Sequence, residues 1–220
     1  MTRARLAALA LTALLAAPAR AGFELRSEVG VSLQATDRFR LGLEQELRLD
    51  HGAREVDAVR PAVWASWRAA RWLSLRLGYR YDIEPHVTKG ADYADGWHEG
   101  WLDVTLRRRL EPVRLALRLR LEERWGRPWE ADGAEVRTHA ARQRLELAWP
   151  FWREVALVGS GELFLRLADA DGPLDEWRAG AALDVPLGAH EVSVRYLLER
   201  PLTAGREGAH VLGLSYRYDR

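Results

Sequence analysis

Charged side chains recur at every second position along several stretches in the second half of the chain. On a β-strand this spacing puts them all on one face, because successive side chains point to opposite faces. Arginine and carboxylate groups gathered on one face can form ion pairs, which bidentate arginine geometry holds in fixed positions. The predicted members of this network are Arg114, Arg118, Arg120, Glu122, Arg124, Arg142, Arg144, Glu146, Glu162, Arg166, Arg178, Glu191 and Arg195.

The same rows have a second interpretation, because rings of charge can line a path for ions or small solutes. A selective path needs an excess of one sign or a gap in the packing, whereas the sequence as a whole is close to charge balance, with 33 basic and 32 acidic residues. If these strands form a barrel, the favoured interpretation is a network of paired charges that closes its interior, the lumen. A narrow channel through the lumen is the alternative.

Catalytic and metal-binding patterns are weak. Ser160 lies between two glycines, and His98, Glu99 and Asp103 lie together near a predicted loop, but two small residues beside a serine more often mark a bend in a strand. The six histidines have no metal-ligand spacing, and the acidic stretch 168–175 lacks the alternating ligands of a calcium loop. We therefore predict no catalytic residue, no metal and no cofactor, and expect a protein that is not an enzyme.

The elements that must position these charges are strands. From Phe23 onward apolar and polar residues alternate with period two, as in the run from Leu73 to Ile83 and the run from Val113 to Leu121. Eleven segments follow this rule, and most have about ten to thirteen residues. Strands of globular proteins usually have five or six residues, whereas membrane-spanning strands need about nine to eleven.

The connectors and tryptophans support the same architecture. Tight turns alternate with wider loops that include 84–96 and 168–175, as in outer-membrane barrels. Tryptophans fall near both ends of the segments, where amphipathic rings meet the two membrane interfaces. The predicted interface aromatics are Trp67, Trp72, Trp97, Trp125, Trp129, Trp149, Trp152 and Trp177.

The number of predicted strands conflicts with the usual parity of bacterial barrels. Eleven segments can be drawn, but a single-chain bacterial barrel with both termini in the periplasm needs an even number. The parity argument favours ten or twelve strands, with the segment that begins at Phe23 as the least secure.

The N-terminus predicts export. Arg3 and Arg5 precede an apolar run from Leu6 to Ala17, which is too short to span a bilayer as a helix and ends in a small-residue cleavage pattern at Ala21. Residues 1–21 are thus a predicted signal peptide. Its removal leaves 30 basic against 32 acidic residues, so nucleic acid is not an expected partner. The chain has no cysteine and therefore no disulfide.

Several short motifs, most of them in the second half, resemble those of the outer-membrane barrels grouped as domain-of-unknown-function family 2490. They run in order from Trp72 to Tyr218 and are Leu77-Gly-Tyr-Arg-Tyr81, Arg118-Leu-Arg-Leu-Glu-Glu-Arg-Trp125, Arg142-Gln-Arg-Leu-Glu146, Glu162-Leu-Phe164, Trp177-Arg-Ala-Gly180, Val194-Arg-Tyr196 and His210-Val-Leu-Gly-Leu-Ser-Tyr216. The family pattern often has asparagine beside its charged strand residues, and this chain has none. The resemblance implies an outer-membrane barrel with arginine and glutamate inside, and no activity.

These observations predict an all-β protein, with residues 22–220 forming one antiparallel up-and-down transmembrane β-barrel of ten to twelve strands, apolar outside and charged inside. Its expected location is the outer membrane of a Gram-negative bacterium, after Sec export and insertion by the barrel-assembly machinery. Outer-membrane lipid is its expected partner, no ligand is specified, and a soluble periplasmic lipocalin-like binding barrel is a further alternative.

Overall fold

The computed structural model describes residues 22–50, 54–88, 91–127, 134–152, 154–167, 174–202 and 208–220. The predicted signal peptide and Trp129 lie outside the described residues. No helix within the described ranges is long and apolar enough to cross a membrane.

The described chain forms a single closed β-barrel in which each strand coincides with one of the eleven alternating segments. Strand pairing continues into the predicted loop 84–96, because the fourth and fifth strands extend as a hairpin to Thr88 and from Ala91. The strands are β1 (Gly22–Gln34), β2 (Phe39–Asp50), β3 (Glu55–Ala70), β4 (Leu73–Thr88), β5 (Ala91–Leu110), β6 (Val113–Gly126), β7 (Val136–Trp152), β8 (Val155–Arg166), β9 (Leu174–Leu187), β10 (His190–Pro201) and β11 (Ala209–Asp219).

The barrel closes with an odd number of strands. Neighbours in sequence pair antiparallel, while β1 and β11 pair in parallel, with register from Gly22 opposite Ala209 to Ser32 opposite Asp219. Side chains join this seam as well, because the Ser32 hydroxyl donates to Asp219 Oδ1 over 2.5 Å. The predicted range of ten to twelve strands is confirmed, but the parity argument for ten or twelve was wrong: parallel closure lets an odd barrel form without an open edge.

The two faces of the wall differ in polarity as the alternation predicts. Leu73, Leu75 and Leu77 share the outer face, where Leu77 keeps 64% of its surface exposed, whereas Arg118 lines the lumen. Asp82 is buried inside with 1% exposure. The charged lumen differs from the apolar interior expected of a lipocalin-like barrel.

Candidate functional site: a charged lumen

The most deeply buried carboxylate of the lumen belongs to Asp82 on β4. It accepts two hydrogen bonds from the Arg60 guanidinium on β3, from Nε at 2.8 Å and Nη2 at 2.7 Å. Arg124 on β6 approaches the same carboxylate at 3.4 Å and pairs with Glu84 at 2.5 Å. Burying such charges without partners would be very unfavourable, so these pairs are a condition for the fold.

A second group of pairs connects β4, β5 and β6. Arg80 Nη2 donates to both carboxylate oxygens of Glu99 at 2.7 Å. Arg120 and Asp103 lie opposite each other in register and form two parallel hydrogen bonds, Nε to Oδ1 at 2.6 Å and Nη2 to Oδ2 at 2.8 Å. Bidentate contacts of this kind fix the orientation of the planar guanidinium.

A third group lies beside the parallel seam. Arg26 on β1 pairs with Glu24 at 2.6 Å on its own strand and with Glu199 on β10 at 2.8 Å. Arg178 on β9 reaches the same Glu199 at 3.1 Å and contacts Glu176. Since β11 separates β1 from β10, these side chains reach across the inner face of β11 and stabilise the closure.

Pairs between residues i and i+2 of one strand are a recurring feature of the network. Arg144 and Glu146, 2.5 Å apart, are one case, and Arg26 with Glu24 is another. Such residues share a strand face at a separation of about two residue rises, which long arginine side chains span. Opposite charges two positions apart are therefore candidate pairs, although Arg124 pairs with Asp82 and Glu84 rather than with Glu122.

The predicted network members all lie on the inner face, but their pairing is uneven. Glu122 accepts from Arg142 at 2.6 Å, Arg118 lies 3.3 Å from Glu162, Arg166 lies 2.9 Å from Asp175, and Glu191 lies 3.7 Å from Arg217. Within the described part of the chain, Arg114 and Arg195 form no ion pair.

The lumen also contains aromatic side chains that are absent from the predicted site. Trp64 and Trp101 are 6% and 5% exposed, and each indole lies directly over a glycine of the neighbouring strand, Gly42 and Gly78 respectively. Trp64 donates to Glu44 Oε1 at 2.7 Å, and the Arg76 guanidinium lies 4.1 Å from its ring centre. These glycines make room for the indoles, so the pairs fill the lumen where charged side chains do not.

Trp97 requires a correction, because it lies inside the barrel rather than at a membrane interface. It pairs in register with Asp82, and the Arg124 guanidinium lies 4.4 Å from its ring centre. Trp97, Glu99 and Trp101 occupy alternate positions of β5 and therefore share one face of the strand, which is the inner face.

The other described tryptophans lie on the outer surface near the strand ends. Trp125 stacks on His98 with ring centres 5.6 Å apart at the long-loop end. Trp177, also at this end, is in register with the exposed Leu163. The remaining ones, at the tight-turn end and all strongly exposed, are Trp67, Trp72, Trp149 and Trp152.

Several other lumen residues were missed although their phase along the strand identifies them. Phe164 lies between two arginines, with guanidinium carbons of Arg142 and Arg178 at 4.5 and 4.1 Å from its ring centre. It shares its face with Glu162 and Arg166. Asp82 and Arg60 could have been found in the same way, by extending the alternation to the first half of the chain.

The serine and histidine considered for catalysis are not brought together. Ser160 points into the lumen from β8, in register with Glu146, whereas His98 lies on the outer face of β5 with Nδ1 2.6 Å from the Tyr79 hydroxyl. Among the described residues no group of three histidine, aspartate or glutamate side chains could hold a metal ion.

A cavity of about 980 Å³ occupies the half of the lumen nearest the tight turns. Its wall includes residues of the β1–β2 turn, such as Thr36, and extends inward to Arg142 and Arg178. Twenty arginines and nine carboxylates line it. The near balance of charge over the whole sequence is therefore not a local balance in this cavity.

A protein-family model described as "Protein of unknown function (DUF2490)" matches residues 27–204. The crystal structure of the beta domain of the Bordetella autotransporter BrkA is similar to this chain with 15% identity and a TM-score of 0.49, over 84% of this chain and 85% of that one. No curated protein matches the chain at a significant level.

Proposed function

The chain belongs to the DUF2490 family, and from this premise we propose that it is a non-enzymatic integral protein of the outer membrane. The observation that carries the proposal is the inverted polarity of the barrel, with ionic pairs inside and leucine side chains such as Leu43, 61% exposed, outside. A bilayer would remove this outer surface from water, and closure of the barrel leaves no strand edge unpaired within it.

Outer-membrane lipid is the partner that this surface fits. Apolar side chains such as Leu119 and Leu145 occupy the middle of the outer wall, and tryptophans such as Trp149 lie toward its ends. This arrangement is that of an apolar band between two aromatic girdles. Delivery by Sec export, cleavage after Ala21 and insertion by the barrel-assembly machinery complete the proposal, and sequencing of the mature N-terminus at Gly22 tests the cleavage.

We further infer that the paired charges close the lumen toward the long loops. The support is the cluster of Arg60, Asp82, Glu84 and Arg124, in which each side chain contacts at least one opposite charge. Fixed bidentate pairs leave little freedom for water and ions to pass. A narrow anion path is the second candidate, and the arginine excess of the cavity favours it.

Cell fractionation followed by electrophoresis tests the location. We expect the protein in the outer-membrane fraction, resistant to alkaline carbonate, with a folded form that migrates faster on gels unless it is boiled. Recovery in the aqueous fraction without detergent would contradict the membrane proposal.

Planar bilayer recordings on the same purified sample separate the two candidate functions. A closed lumen predicts no unit conductance, while an anion path predicts discrete steps with a reversal potential that follows the chloride gradient. Matched recordings with the folded protein and a boiled sample exclude leakage caused by detergent.

A further inference from the structure

The arginine-rich cavity has the size of a small-molecule site. Its volume of about 980 Å³ lies at the upper end of the range of roughly 300–1,000 Å³ that is usual for ligand pockets. It extends from the tight turns toward the middle of the barrel, where Arg60 and Arg80 form part of its wall. A ligand would therefore reach it from the aqueous phase on the tight-turn side.

At the inner end of the cavity, the positive charges of the arginines are neutralised by carboxylates. Arg60 pairs with Asp82, and Arg80 pairs with Glu99, and both carboxylates lie beyond the cavity wall on the long-loop side. The charge excess therefore does not come from the deepest arginines.

The excess comes from arginines that have no ion-pair partner within the described ranges. Arg40, Arg68, Arg114 and Arg195 line the cavity, and none of them forms an ion pair with another described residue. Among the described residues, the Arg107 guanidinium donates only to a neutral oxygen, Ser74 Oγ, at 2.6 Å. These arginines come from different parts of the wall, on β2, β3, β5, β6 and β10. A solute at the centre is thus surrounded by guanidinium groups.

Two arginines of the cavity wall lie opposite each other on adjacent strands. Arg118 on β6 and Arg144 on β7 are register partners, and like charges directly opposite destabilise a sheet. Each has one carboxylate contact, and the Nε of each is buried without a hydrogen-bond partner. An oxyanion in the cavity would offset the repulsion between these two guanidinium groups.

We propose that this cavity binds a soluble, multiply charged oxyanion of the polyphosphate or polycarboxylate class. Guanidinium groups bind both phosphate and carboxylate oxygens in bidentate geometry, and several arranged around one cavity favour a ligand with more than one anionic group. The site is enclosed by the wall, so its ligand is a solute rather than a lipid headgroup. The inference rests on the proposed function in one respect, because it requires that the chain folds as a membrane-embedded barrel.

Isothermal titration calorimetry with inorganic tripolyphosphate tests the proposal on the full mature chain folded in neutral detergent at about 0.15 M salt. We expect saturable binding with one ligand per chain, which tricarballylate, a tricarboxylate, displaces. Arg114→Gln and Arg195→Gln each remove a charge that has no ion-pair partner to leave behind, so both should fold. Each should weaken binding on the order of tenfold, the effect of one charged hydrogen bond.

Arg137→Gln is the matched control, because it removes the same charge from the outer face of β7, where Arg137 pairs with Glu135 at 2.6 Å. It should leave binding unchanged. A folded wild-type barrel without saturable binding, or a control that weakens binding as much as Arg195→Gln does, would overturn the proposal.

Two further measurements assign a failure to its source. Loss of heat-modifiable mobility in the wild type would count against the proposed function itself, whereas a normally folded barrel that binds no tripolyphosphate counts against the cavity alone. Binding is also compared in vesicles of zwitterionic lipid and in vesicles with added anionic phospholipid. Equal affinity supports a soluble ligand, and strong competition by the anionic vesicles would make a lipid headgroup the occupant and refute the proposal as stated.

Discussion

Replacing Asp103 by asparagine should destabilise the barrel strongly, although the side chain changes shape very little. Asp103 is 2% exposed and receives two hydrogen bonds from Arg120, which otherwise contacts a carboxylate only at 3.5 Å, that of Glu122. Removing one partner of a buried pair costs about 3–5 kcal/mol. Because asparagine keeps one acceptor oxygen and Glu122 remains near, we expect the lower end, about 3 kcal/mol.

The measurement is urea unfolding in lipid vesicles, followed by tryptophan emission. Arg120→Gln and the double variant complete a double-mutant cycle, which should give a coupling energy of at least about 1.5 kcal/mol for a direct buried pair. The matched control is Glu111→Gln, because Glu111 and Arg109 form a pair at 3.4 Å with side chains 80% and 76% exposed. Such an exposed pair contributes about 0–1 kcal/mol. Equal losses for Asp103→Asn and Glu111→Gln would refute the argument that lumen burial makes the pairs strong.

Two further predictions concern packing and the lipid-facing surface. Gly78→Ala places a methyl group about 2.1 Å from the Trp101 ring, so we expect a loss of about 1–3 kcal/mol in the same unfolding assay; Gly159→Ala, where nothing lies within 4 Å, should have little effect, and a similar loss there would contradict the steric explanation. Leu119→Arg, in the middle of β6 and 43% exposed on the outside, should cost about 2–4 kcal/mol, whereas Leu110→Arg at the tight-turn end should cost about 0–1 kcal/mol. Equal costs at these two depths would contradict the bilayer environment.

The strands themselves could be predicted from the sequence because the physical signal is local. A bilayer requires apolar side chains on one face over about ten consecutive residues, and the run from Val113 to Leu121 shows this directly. The extension of the β4–β5 hairpin was missed because its residues lack this apolar alternation. Residues 91–96 have a loop-like composition, and backbone hydrogen bonds can pair such a segment without apolar side chains.

The composition of the lumen was only partly predictable. The charged residues were assigned to the lumen correctly because they alternate with apolar ones. Trp97 was assigned to the membrane interface because it lies near a strand end, but it is two residues from Glu99 and therefore shares the inner face. The local excess of arginine could not be predicted. It depends on which side chains of non-adjacent strands meet across the barrel, as when Arg26 reaches Glu199, and no spacing within one segment contains that information.

The parallel pairing of β1 with β11 places the two ends of the barrel chain on opposite sides of the membrane. Because Gly22 lies beside Ala209 and β11 ends at the tight turns, the first and last strand residues emerge on opposite sides of any bilayer the barrel spans. If the long loops face outward, an epitope tag placed before Gly22 would be accessible to antibody on intact cells, while a tag after Arg220 would be accessible only after the outer membrane is opened. A barrel with an even number of strands would show both tags on one side, so surface labelling of the two tagged proteins reads the strand parity in living cells.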